Sequence, residues 1–145
     1  MKKYLYLLLI GFVILSCNTY KNTNLNKDER LETVKQNDTV SIANDDLEYQ
    51  IIIIEPGFNF WLVSQARAEG YYSQSFLENR NIIYVTEWNN RVLQPQQYNP
   101  SLYEMQIDYQ RGIDYGYEVN YKLYNYFIYF QIKYKQRLGP FTPRI

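Results

Sequence analysis

Residues Ile113 to Arg137 read IDYGYEVNYKLYNYFIYFQIKYKQR, and the periodicity of this stretch decides the fold. One apolar stripe runs through Val119, Leu123, Phe127, Phe130 and Tyr134, and a second through Tyr117, Tyr121, Tyr124, Ile128 and Ile132. Both follow the three-to-four-residue spacing of an α-helix. Asp114 is suited to cap its start, which predicts a helix from Tyr115 or Gly116 to about Arg137. Glu118, Lys122, Asn125, Lys133 and Gln136 mark a narrow polar side. A helix apolar around more than half its circumference must be sandwiched in a core or covered by a partner. Lys133, Lys135 and Arg137 complement the negative end of the helix dipole, and Gly139-Pro140 marks the stop.

Working back along the chain, Ser75 followed by Glu78 forms a capping-box pattern before a second helix that ends near Leu93. Its stripe is Leu77, Tyr84, Trp88 and Val92, widened by Ile83 and Val85, with Glu87 and Arg91 as an i,i+4 pair on its outer face. Pro95 and Pro100 bound a loop. Phe58 to Arg67 (FNFWLVSQAR) predicts a short helix with Phe58, Trp61, Leu62 and Gln65 on one side. Ahead of it, Tyr49 to Ile54 (YQIIII) carries four consecutive β-branched residues, which favour an extended backbone. A continuous apolar run in a strand implies burial on both faces, and Pro56-Gly57 stops it. Asp38 to Ala43 is a weaker strand candidate. The expected class is mainly α, or α+β at most: three helices, the last long and aromatic-rich, packed with one short buried β-strand or hairpin.

The N-terminus has a different character. Lys2 and Lys3 precede Tyr4 to Leu15, an apolar run of 12 residues. A membrane-spanning helix needs about 20, so this run is expected to direct export and be removed. Its end, Ile14-Leu15-Ser16-Cys17, resembles the lipobox of bacterial lipoprotein precursors, in which the cysteine thiol is alkylated and the cut falls after a small residue. Leu15 is larger than the usual occupant of its site. Asn18 to Asp38 then holds only four apolar residues (Tyr20, Leu25, Leu31, Val34) in 21, too few to pack. A flexible tether with an r.m.s. reach of roughly 25 Å is expected, with room for a transient helix over Asp28 to Lys35. The expected organisation is a signal peptide at 1–16, lipidated Cys17 and tether over 17–44, one domain at 45–138, and a tail at 139–145.

Charge and composition exclude several functions. Removing Lys2 and Lys3 leaves 13 basic against 15 acidic side chains, far from the basic footprint of a nucleic-acid binder. The chain has no histidine and its single cysteine is Cys17. Histidine-based triads, the common zinc sites, internal disulfides and Cys-X-X-Cys redox pairs are therefore excluded. Nothing in the sequence calls for a cofactor or a metal.

Tyrosine is the outlying residue, 17 in the chain. Two readings stand. Tyr71, Tyr72, Tyr117, Tyr121 and Tyr124 form a recognition surface, since tyrosine combines large apolar area with a polar tip and few rotatable bonds. Alternatively, a small core uses tyrosine to bury a ring while its hydroxyl reaches water. A short duplication places Asp108 and Asp114 six residues apart, in Ile107-Asp108-Tyr109 and Ile113-Asp114-Tyr115. These carboxylates, with Glu55, are the candidates for acid-base work, and the two aspartates for a calcium ion, although the segment lacks the alternating oxygen ligands of a calcium loop. The favoured reading is that Asp108 caps a turn and Asp114 the helix, with Ile107 and Ile113 packing inward. Glu78 is accounted for by capping and Glu87 by Arg91.

The strings EYQIIIIEPGFNFWL (48–62), YYSQSFLENRN (71–81), VTEWNNR (85–91) and IDYGYEVNYKLYNYF (113–127) resemble a family of short, uncharacterised Gram-negative lipoproteins classed only as a domain of unknown function. The resemblance covers nearly the whole folded region. It supports the domain boundaries and the lipoprotein class and adds no site residues. With the lipobox reading, the expected address is the cell envelope, anchored through lipid on Cys17 and facing the periplasm, at the outer membrane in preference to the inner. The expected function is structural or accessory, with envelope proteins or peptidoglycan bound through the tyrosine-rich surface. A small-ligand or saccharide-binding module is the alternative, and a carboxylate-based hydrolase the weaker one.

Overall fold

A computed structural model describes residues 39–44 and 49–145. Cys17 and the stretches expected to form an export segment, a tether up to Asp38 and a transient helix lie outside the described residues. Two strands, β1 (Thr39–Asn44) and β2 (Tyr49–Ile54), pair antiparallel, with Thr39 opposite Ile54 and Asn44 opposite Tyr49. Three helices follow: α1 (Phe58–Ser64), α2 (Gln74–Val92) and α3 (Tyr117–Lys133). The class is the expected one, three helices with a strand pair, the last helix aromatic-rich. No helix among the described residues is long and apolar enough to cross a membrane.

α3 forms the centre of the molecule. Val119, Leu123, Phe127 and Phe130 from its first stripe and Tyr121, Tyr124 and Ile128 from its second are all buried. α2 lies against it through Leu77, Tyr84, Val85 and Trp88. Asn125, placed on the polar side by periodicity, is buried too. Its amide donates to the Tyr121 carbonyl at 2.8 Å, which satisfies it inside the helix. β1 brings Ile42 into the same core, so the packed unit begins at least six residues before the boundary expected at Asp45. β1, and not β2, makes the hairpin's main contacts with α1 and α3.

Several boundaries shift for local reasons. α2 is capped by Ser73, whose Oγ accepts from the Phe76 N–H, and not by Ser75. Glu78 instead accepts from the Gln74 side chain at 2.8 Å. Gly116 precedes α3 as its cap residue, while Asp114 accepts from the Gly116 N–H in an Asx-type turn just ahead of the helix. α3 stops at Lys133, before Gly139. Lys135 takes φ +51°, and the Gln136 N–H returns to the Gln131 carbonyl at 3.0 Å, the Schellman pattern with lysine where glycine is usual. Gly139 has a separate task. It takes φ +93° where the C-terminal segment crosses α2, and a Cβ there would fall 2.9 Å from Ile83 Cγ2. Leu138 is fully buried, and the Arg80 guanidinium lies over the Phe141 ring, so residues 138–141 pack on the domain and do not trail from it.

Two further expectations are corrected. Arg91 is 9 % exposed and is not on an outer face. Its guanidinium takes Glu87, the Tyr103 hydroxyl, the Gln136 carbonyl oxygen and the Arg137 backbone carbonyl, joining α2 to the loop at 98–103 and to the segment after α3. β2 is not buried on both faces: Ile52 is 57 % and Ile54 73 % exposed. A two-stranded sheet has only one helix-covered side here, so an unbroken apolar run leaves alternate side chains in water.

Candidate functional site

β2 and the irregular segment at 101–108 stand opposite each other and enclose a groove of about 610 Å³. Trp88 from α2 and Tyr126 from α3 contribute to its lining beneath the apolar Ile52, Ile54 and Met105. Successive side chains of a strand point to opposite faces. Tyr49, Gln50, Ile51 and Ile52 all line the groove, so it runs along the edge of β2 and not under one face.

Both walls are held in place. On the loop side, the Trp88 indole N–H donates to the Met105 carbonyl at 2.9 Å. The Asn89 side chain pairs with Ile107 in both directions, its amide donating to the carbonyl and its oxygen accepting from the N–H. This amide clamp substitutes for the strand partner that the segment lacks. On the other side, Glu55 at the end of β2 is taken by Lys133 and by the Tyr134 hydroxyl, and the Pro56 carbonyl accepts from Lys133 and from Tyr129. Burial alone would lower the Lys133 pKa, but the hydrogen bonds to Glu55 and Tyr129 carry it well above its usual range. At the start of β2, the Tyr49 and Tyr115 rings meet at 4.4 Å between centroids, and Asn44 donates to the Tyr115 carbonyl.

The rim is acidic. Glu55, Glu104 and Asp108 line the groove, with no lysine or arginine among its lining residues. Burial raises the Tyr126 phenol pKa, and Glu55 and Glu104 add to it. Burial, Tyr115 and Asp108 do the same at Tyr49. The Tyr49 hydroxyl is buried without a hydrogen-bond partner.

The five tyrosines singled out from sequence separate. Tyr71 is 62 % exposed and meets Tyr72 edge-on, while Tyr72 stacks on Phe76 and is half-buried. Tyr121 and Tyr124 are buried in the core, which removes them from any contact surface. Tyr117 accepts from the Gly70 N–H, and Tyr121 donates to the Arg67 carbonyl, so both serve the loop between α1 and α2. A shared face needs residues three or four apart pointing to solvent, and α3 has too little solvent face to supply one.

The candidate carboxylates also divide. Asp114 lies with Glu78 in a shallower polar depression of about 420 Å³, where the Gln74 amide donates to both. Asp108 accepts from Gln110 and belongs to the β2 groove, as Glu55 does. Ile107 packs on the core as expected, whereas Ile113 is 38 % exposed. Among the described residues no three of histidine, cysteine, aspartate and glutamate gather as a metal would require. The signal that could have located the groove is the run Ile51 to Ile54 beside Pro56. Four apolar residues on a strand with one partner must leave some of them uncovered.

No curated protein and no solved structure matches this chain. Residues 5–142 match the model of a family of unknown function, DUF6146, and the chain belongs to that family.

Proposed function

We propose that this protein is a lipid-anchored bacterial envelope lipoprotein that acts by holding a partner in the groove beside β2. The observation that carries the reading is the uncovered apolar wall of Ile52, Ile54 and Met105, exposed at 57 %, 73 % and 76 % next to a groove with pinned walls. Large exposed apolar side chains grouped at one concavity mark an interaction site. The export signal and the cysteine at position 17 support an address on the membrane, with two or three acyl chains each adding about 0.8 kcal/mol per buried CH₂. A structural or accessory role fits this better than catalysis, because Glu55, Glu78, Glu87 and Asp114 are each engaged by a side-chain partner. A saccharide module would present ring faces to its sugar, whereas Trp88 here is 6 % exposed and bonded to the loop.

Two measurements test this reading. Labelled fatty acid is expected to enter the protein and to be lost with Cys17→Ala; retention of label in that variant rejects the anchor. A photo-crosslinking residue at Ile54 is expected to yield a discrete adduct in cells, and one at Tyr71 none. An adduct from Tyr71 alone returns the interface to the tyrosine surface.

A further inference from the structure

Among the described residues, β2 has a single neighbour in its sheet. In an antiparallel pair, every second residue turns its N–H and C=O away from the partner, so the outer edge of β2 offers a row of backbone donors and acceptors. Folded proteins usually guard such an edge with charge, proline or a covering element. From Tyr49 to Ile54 there is neither charge nor proline. The segment at 101–108 stands across the groove, pinned to α2 through Trp88 and Asn89, and leaves a slot alongside the strand. Six residues of β2 give a pairing length of about 20 Å.

Charge selects among possible occupants. A second copy of this chain, adding β2 to β2 about a twofold axis, would bring two rims of Glu104 and Asp108 together around an apolar slot. Like charges facing one another at an interface disfavour the pairing. A segment bearing lysine or arginine meets those carboxylates with the opposite sign. Among the described residues, the cation at the end of the slot is Lys133, and it is already held by Glu55 and the Pro56 carbonyl.

We propose that the groove receives an extended segment of a partner protein, alternating apolar and basic residues, which adds to the edge of β2 as a third strand. Backbone pairing supplies the fit, apolar side chains cover Ile52, Ile54 and Met105, and lysine or arginine side chains meet Glu104 and Asp108. Strand addition of this kind draws affinity from the main chain and specificity from alternate side chains. The inference rests on the binding reading above and adds the occupant's backbone form and charge.

The test uses the full chain in nanodiscs of phosphatidylcholine, whose headgroups carry no net charge. Four fluorescent six-residue peptides are titrated: alternating Val and Lys, alternating Val and Glu, and two forms of the Val/Lys peptide with alternate backbone nitrogens methylated, one in each register. The Val/Lys peptide is expected to bind at least tenfold more tightly than the Val/Glu peptide. Methylation in one register is expected to cost tenfold or more with the charge unchanged. Glu104→Lys combined with Asp108→Lys is expected to invert the charge preference, and both sites are exposed, so an unchanged far-UV spectrum is expected for that variant. Equal binding of all methylated forms overturns strand addition. A charge preference that survives the double reversal overturns the role of the rim. Dimerisation abolished by Ile54→Lys would assign the edge to a second copy instead. If crosslinks from Ile54 persist while no peptide binds, the interaction site stands and this occupant falls; if both fail, both readings fall.

Discussion

Replacing Arg91 by methionine separates two accounts of the same residue. As half of an exposed i,i+4 pair with Glu87, Arg91 would be worth about 0.3–0.5 kcal/mol. The structure gives it more to do. Its guanidinium holds the Tyr103 hydroxyl at 2.7 Å and the Arg137 carbonyl at 2.5 Å, and it lies 4.7 Å from the Tyr98 ring centroid. Methionine preserves most of the apolar stem and opens little cavity, so the loss is mainly that of polar partners left without a donor. Tyr103 is 3 % exposed and has only Gln136 as a remaining partner, at 3.2 Å. Two polar groups deprived of a charged donor cost about 1–3 kcal/mol each. The expected loss is therefore about 2–6 kcal/mol. With a urea slope of about 1.5 kcal/mol per M, the unfolding midpoint falls by roughly 1.3 M or more. Glu87→Gln serves as the control: the Glu87 side chain is 32 % exposed and open to water, so the expected loss is under about 1 kcal/mol. A loss for Arg91→Met below about 1 kcal/mol, or equal to that of Glu87→Gln, would refute the buried-hub account.

Lys135→Gly relieves a left-handed residue at about 1–2 kcal/mol but adds backbone entropy to the unfolded chain, so a net gain of about 0.5–1 kcal/mol in urea unfolding is expected. Asn89→Ala removes the clamp on Ile107, and hydrogen exchange at 104–108 should quicken while the α3 amides keep their protection. At alkaline pH the sign follows from the phenols. Burial first, then the charge of Glu78, pushes the Tyr109 pKa up to about 12 from 10, and burial raises Tyr49, Tyr124 and Tyr126 as well. The folded state therefore binds protons that the unfolded state releases. Their contribution is fully present below pH 10 and is lost as pH climbs toward 12, by about 1.4 kcal/mol per unit for each such tyrosine. Absorbance at the phenolate band should show a class of tyrosines that ionises together with unfolding; ionisation of every tyrosine near pH 10 with the fold intact contradicts this.

How far the sequence could be read depended on whether local or long-range contacts decided the outcome. The two long helices and the strand were legible because their periods repeat over many residues. Helix ends were less so. Ser73 and Ser75 are chemically equivalent caps, and only the path of the chain from Tyr72 selects the first. Gly139 looked like the stop of α3, yet Lys135 accepts the left-handed turn because the Gln131 carbonyl and side chain, the latter bonded to the Leu138 N–H, fix the exit path. Arg91 resembled a solvated ion-pair member, since its true partners are 12 and 45 residues away. The groove was hidden for the same reason. Its loop wall has no period, and its anchors are the Trp88 indole and one asparagine side chain, Asn89, indistinguishable in sequence from its neighbour Asn90.

The abundance of tyrosine has a physical explanation that redirects the search for function. Residues 55–57, 65–73 and 93–116 form neither helix nor strand, so their buried backbone groups need partners from elsewhere. Tyrosine places a ring in the core and a hydroxyl at the loop beside it. Tyr115 accepts from the Gln110 N–H, Tyr117 from Gly70, while Tyr121 donates to Arg67 and Tyr129 to Pro56. Phenylalanine at these four sites would keep the packing and leave each loop group short of a bond, at about 1 kcal/mol apiece. With most of the tyrosines absorbed by the fold, a feature that internal packing among the described residues does not account for is the uncharged edge of β2. Ile52 and Ile54 contribute little to the core in their exposed positions, and an isolated domain would be more soluble with lysine or glutamate there. Substituting both by lysine should therefore leave stability within about 0.5 kcal/mol while abolishing binding of the Val/Lys peptide. A large loss of stability instead would mean that these isoleucines serve the fold.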